Sequence, residues 1–208
     1  MKLTALSLAV AAALFPWVFR SRRGNFWGRM PLVAGGLGAL SLLTEQRRGV
    51  ERPRGSDLLT GIGTAVGLYL VFQVGDRLAR AIMPGGDQEI ARIYRLRRAA
   101  PRPIIALVLA TIIAPAEELF WRGMVQNRLM RRFGAVPGTL GATAAYGLVH
   151  LGSGNLTLTG AAAVAGAGWG LQYLVQRRLP ALIVSHILWD IWIFLIAPTP
   201  GADHPEAG

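Results

Sequence analysis

Apolar runs broken by short polar segments dominate the chain. Seven of them approach the length of a membrane-crossing helix: Leu3 to Phe19, Met30 to Leu43, Leu58 to Val74, Ile104 to Trp121, Val136 to Leu151, Leu156 to Val175 and Leu179 to Ala197. A helix rising 1.5 Å per residue needs roughly 20 residues to cross the hydrocarbon of a bilayer. The second run falls short of that, so it is either re-entrant or begins earlier, near Phe26. The connecting segments are rich in Arg, Gly and Pro, and Thr199 to Gly208 reads as a disordered tail. The pattern predicts an all-α fold, a polytopic transmembrane helical bundle of about seven spans, with no soluble domain and no internal repeat.

Composition agrees. Of the 208 residues 52% are hydrophobic and only 16% charged, too apolar for an ordinary soluble domain. A net charge of +11 would suggest nucleic acid in a soluble protein, but these arginines lie between apolar runs, where they face lipid headgroups. Membrane lipids are therefore expected partners, and nucleic acid is not. Lys2 and the alanines Ala11 to Ala13 resemble a cleavable leader, yet the apolar run continues to Phe19 and meets Arg20, Arg22 and Arg23, which predicts a retained first span. Counting basic residues for alternate sides of seven spans gives nine against ten, so charge asymmetry does not set the orientation. Gly63 with Gly67 and Gly166 with Gly170 have the four-residue spacing that lets helices approach, and are assigned packing roles. Trp17, Trp121, Trp189 and Trp192 fall towards the ends of spans and are expected as interfacial anchors.

Cysteine is absent, so chemistry must come from carboxylates, imidazoles or hydroxyls. An ionised side chain near the bilayer centre costs at least ~2.5 to 3.5 kcal/mol, so each needs a partner, water or a function. The cost is concentrated in three places: Glu117, Glu118 and Arg122; Tyr146 and His150; and His186 and Asp190. Glu118–Arg122, Tyr146–His150 and His186–Asp190 are each four residues apart, which puts both members on one helix face. Glu117 is turned about 100° from Glu118. Glu118 is thus expected to pair with Arg122, leaving Glu117 free as a base, while Pro115 bends the helix nearby. Each place also has a plain structural reading. Glu117 to Arg132 also reads as a span running into an amphipathic interfacial helix, and His150 as an interfacial histidine. Asp190, well inside an apolar run, is hardest to explain that way, and the joint occurrence points to a site.

These residues resemble the CPBP family, the CAAX proteases and bacteriocin-processing enzymes, whose eukaryotic member is the Ras-converting prenyl-protein endopeptidase. The first motif, Glu-Glu-x-x-x-Arg, matches Glu117, Glu118 and Arg122. The second, Phe-x-x-x-His, matches at His150 with Tyr146 in place of Phe, and the third, His-x-x-x-Asn or Asp, matches His186 and Asp190. The resemblance covers about Ile104 to Ile196, dividing the chain into N-terminal helices and basic loops (1–100), a catalytic core (101–198) and the tail (199–208).

The resemblance implies an intramembrane endopeptidase in which Glu117 and His150 activate a water, on a peptide or lipid-modified substrate, prenylated or otherwise membrane-associated. His186 and Asp190 would stabilise the oxyanion or hold the water, and Glu118 with Arg122 would shape the site. An ionised Asp190 can only accept hydrogen bonds, which favours its orienting His186. Glu117 and the two histidines also match a two-histidine, one-glutamate zinc set, so a divalent metal and a metal-free mechanism both stay open. The family suggests an integral protein of a prokaryotic plasma membrane with its site reached from the cytoplasmic side. The alternatives are a non-catalytic scaffold or immunity-type protein that keeps the polar cluster for structure and, ranked last, a proton-coupled transporter.

Overall fold

A computed structural model describes residues 2–21, 25–45, 51–82 and 85–198, and the expected tail at 199–208 lies outside the described residues. Among the described residues eight helices follow one another, short 3₁₀ turns aside: α1 (Lys2–Arg20), α2 (Phe26–Thr44), α3 (Gly55–Ile82), α4 (Gly86–Tyr94), α5 (Arg102–Phe133), α6 (Ala135–Val149), α7 (Leu156–Gln176) and α8 (Leu179–Ile196). No strand occurs among the described residues. Five helices, α1, α2, α3, α5 and α8, are long and apolar enough to cross a membrane. Of the other two expected spans, α6 has only 15 residues, and α7, at 21 residues, is rich in alanine and glycine and so less apolar. These two pack closely on each other and against α5, and both keep an exposed apolar face, with Val136, Leu140 and Leu148 on α6 and Leu171 and Val175 on α7.

The sequence-based limits move where polar groups are satisfied locally. Asn25 caps α2, accepting from the Gly28 amide at 2.8 Å, so the helix begins at Phe26 and reaches spanning length. Helix α3 continues past Val74 to Ile82, with Arg80 and Asp76 bonded one turn apart. Arg77 and Arg80 raise the count on that side to eleven against ten, with Arg122 the last of the 22 basic residues, and orientation is still not set. The largest change is in α5. Rather than ending at Trp121 it runs to Phe133, so the Glu-Glu-x-x-x-Arg motif lies near its middle.

Polar ties fix which helix ends lie together. At one end the Arg20 guanidinium donates to the Leu151 carbonyl (3.1 Å) and the Tyr94 hydroxyl to the Ile193 carbonyl (3.0 Å). At the other, Arg128 pairs with Glu45, and Arg178 grips Asp57 with Nε at 2.6 Å and a second nitrogen at 2.7 Å. Glycine fits the close crossings. A Cβ at Gly166 would lie 2.7 Å from the Tyr146 ring and one at Gly170 would lie 3.0 Å from Thr143 Oγ1, as expected of that pair. Gly63 and Gly67 instead face open space, and the packing glycine of α3 is Gly61, tight against Val184.

Helix α4 is held in place by Glu89, whose carboxylate accepts from the Leu156 amide (3.2 Å) and from the Thr157 amide and hydroxyl (both 2.7 Å). An internal anion thus occupies the N-terminus of α7. Partial burial pushes the Glu89 pKa up, but the Thr157 and Leu156 donors, aided by Arg92, win and hold it below its ordinary 4.5. The unfolded state is therefore the stronger proton binder. The stability Glu89 contributes is fully present above pH 4.5 and lost as pH falls through the lower folded value. Hydrogen exchange at the Leu156 and Thr157 amides should accelerate in that acid window in the wild type, and should already be fast at neutral pH in Glu89→Ala. Equal protection in both proteins would show that the contact does not hold α4.

Candidate active site

Helix α5 carries the first motif on an irregular stretch. Pro115 supplies no amide hydrogen, and the helix widens into i→i−5 bonded turns at Leu109–Ile113 and again at Leu119–Gln126, flanking Ala114–Glu118. Pro115 is thus accommodated by widened turns, and the Leu119 carbonyl accepts a 2.6 Å bond from Ser41 Oγ of α2. Gly38 of α2 lies so close to Ala116 that a Cβ there would be 2.8 Å away, which seats α2 directly behind the two glutamates.

All three ionisable residues of this motif are buried: Glu117 is 6% exposed, Glu118 0% and Arg122 2%. This disposes of the interfacial-helix reading, since side chains in headgroups would be open to solvent. Glu118 Oε1 accepts from Arg122 at 2.8 Å, the expected i,i+4 pair. Arg122 also donates to the Gly166 carbonyl (3.2 Å) and lies between two rings, 4.8 Å from that of Tyr146 and 5.3 Å from that of Trp169. One turn on, Gln126 repeats the pattern against the Gly170 carbonyl (2.8 Å).

The same Glu118 oxygen lies 2.7 Å from His186 Nδ1, while Asp190 Oδ2 is 3.5 Å from Nε2. His186 is therefore oriented first by Glu118 and only loosely by Asp190, the reverse of the emphasis read from the motifs. Trp169 stacks on the imidazole at 3.9 Å, its indole N–H bonded to Ser185 Oγ at 3.0 Å. Glu117 accepts from the Tyr146 hydroxyl at 2.8 Å, so it is not free of partners. His150 Nδ1 lies 2.7 Å from the Tyr146 carbonyl. A carbonyl only accepts, so Nδ1 carries the proton and Nε2 keeps the lone pair. Tyr146 thus contacts both Glu117 and His150, and Glu118 contacts both Arg122 and His186, so direct contacts join the three motifs.

Several contributors carry no motif signal. Phe15 of α1 stands edge-on to His150 at 5.0 Å, with Phe19 at 6.3 Å, although α1 lies outside the segment that carries the motifs. Trp121, expected as an interfacial anchor, is buried against Phe120 and Tyr146, because the helix it was thought to end continues for three more turns. Trp17 and Trp192 are exposed.

The donor set does not fit a metal. Among the described residues no group of three or more His, Asp or Glu side chains is placed to hold one. His186 has a carboxylate at each nitrogen, and His150 is left with one free nitrogen.

Residues 100–192, spanning all of this machinery except α1 and α2, match the family described as type II CAAX prenyl endopeptidase Rce1-like. No curated protein and no solved structure matches the chain. Through that segment the chain is similar to the CAAX protease family of intramembrane endopeptidases.

Proposed function

We propose that the chain hydrolyses a peptide bond in a membrane-associated substrate, prenylated or otherwise lipid-anchored, with a water activated between Glu117 and His150. The observation that carries this is the tie of both residues to Tyr146: Glu117 by its hydroxyl, His150 by its carbonyl. The second Glu117 oxygen and His150 Nε2 each offer an acceptor to one hydrogen of the same water, aiming its lone pair at a carbonyl carbon. Glu117 takes a proton as the oxygen attacks. His186, facing Glu118 and Asp190, has both nitrogens placed to carry protons and stabilises the negative charge that develops on the carbonyl oxygen. Collapse of the tetrahedral intermediate breaks the C–N bond, and the proton held by Glu117 passes to the departing nitrogen. No step requires a metal.

Purified in detergent and offered quenched peptides with and without a prenyl group, the wild type should cleave, the His150→Ala variant should not, and a strong chelator should leave the rate unchanged. Equal cleavage by wild type and variant would remove the mechanism. Loss on chelation that zinc restores would replace it with a metal-dependent one.

A further inference from the structure

We propose that Tyr146 is the positioning residue that sets the water-activating pair of this chain, a role that rests on Glu117 being the base. Where the family's second motif has Phe, this chain has a buried Tyr, and its hydroxyl is spent on Glu117 Oε2 at 2.8 Å. An ionised carboxylate can only accept, so the hydroxyl donates. The terminal torsion of a glutamate is broad and roughly two-fold, and an unanchored carboxylate would swing through that range. The tyrosine bond fixes the plane and leaves the other oxygen pointing one way. The main-chain carbonyl of the same residue takes the His150 Nδ1 proton at 2.7 Å and so fixes the ring's tautomer.

The ring that carries the hydroxyl cannot easily move. Gly166 leaves no space for a Cβ beside it, Trp121 meets it edge-on at 5.1 Å, and the Arg122 guanidinium lies 4.8 Å from its centroid. One immobile residue therefore sets the relative placement of Glu117 and His150. Removing the hydroxyl alone frees the carboxylate while keeping the ring, its packing and the carbonyl bond to His150.

The test is Tyr146→Phe, which restores the family residue and should fold. Loss of a hydrogen bond to a charged group predicts a fall in kcat of about 10- to 100-fold, with KM unchanged. A purely structural role would lower the thermal midpoint and leave kcat of the folded enzyme at the wild-type value. Independently of any substrate, the infrared difference between wild type and Tyr146→Phe should show a carboxylate stretch that disappears when both proteins also carry Glu117→Gln. A kcat equal to wild type, or no carboxylate band, overturns the proposal. The two readings fail separately. Glu117→Gln with full turnover removes the base, whereas an inactive Glu117→Gln beside a fully active Tyr146→Phe removes only the positioning role.

Discussion

Glu117→Gln is expected to lower kcat by ~10²- to 10⁴-fold, the usual loss when a positioned general base is removed, while the protein melts as the wild type does. The substitution is isosteric, and the glutamine carbonyl can still accept the Tyr146 hydroxyl, so the packing around α5 is kept. What disappears is the ability to take a proton from water. Initial rates in detergent, together with a melting curve, separate this from unfolding. Turnover within a few-fold of wild type would mean that Glu117 is held for structure and that another group activates the water.

Arg122→Met is expected to cost ~3 to 5 kcal/mol of stability, the penalty of removing one partner of a buried ion pair. Arg122 is the hub of the interior. It bonds Glu118 on its own helix and the Gly166 carbonyl on α7, and lies against the rings of Tyr146 and Trp169. Methionine fills much of the volume but leaves Glu118, with no exposed surface, facing only His186. Adding Glu118→Gln to Arg122→Met should recover part of the loss, because no unpaired charge then remains. Unfolding midpoints in detergent measure both, and a neutral single variant would show that the pair does not secure the bundle. The double variant should turn over more slowly than wild type, since a neutral amide holds His186 less firmly than a carboxylate.

The residues of the site were legible because charge at membrane depth is costly and so is rarely placed without a use. Glu117, Glu118, His150, His186 and Asp190 were conspicuous against their apolar surroundings, and four-residue spacing put each pair on one face. The helical bundle was equally legible from run length. The end of α5 was not. Glu118 and Arg122 neutralise each other inside the helix, so charges that read as a boundary sit at its centre. Division of labour within the site was also hidden, because it depends on contacts between helices. Spacing along α8 suggests Asp190 as the partner of His186, but the shorter contact comes from Glu118 across the bundle. Trp169 and Phe15 were ordinary aromatics in apolar runs until the fold placed them against two histidines, and the motif position Tyr146 gave no sign of its bond to Glu117.

The edge-on contact of Phe15 with His150 bears on how far this machinery can be transplanted. Residues 100–192 carry every ionisable group of the site, and a chimera that grafted that segment onto foreign helices would inherit all of them. It would not inherit the aromatic wall that α1 lays against His150, nor the α2 serine on the Leu119 carbonyl. A graft that imports the motifs while leaving α1 and α2 behind would expose one face of that imidazole to lipid or water. The interchangeable unit is the bundle, α1 included.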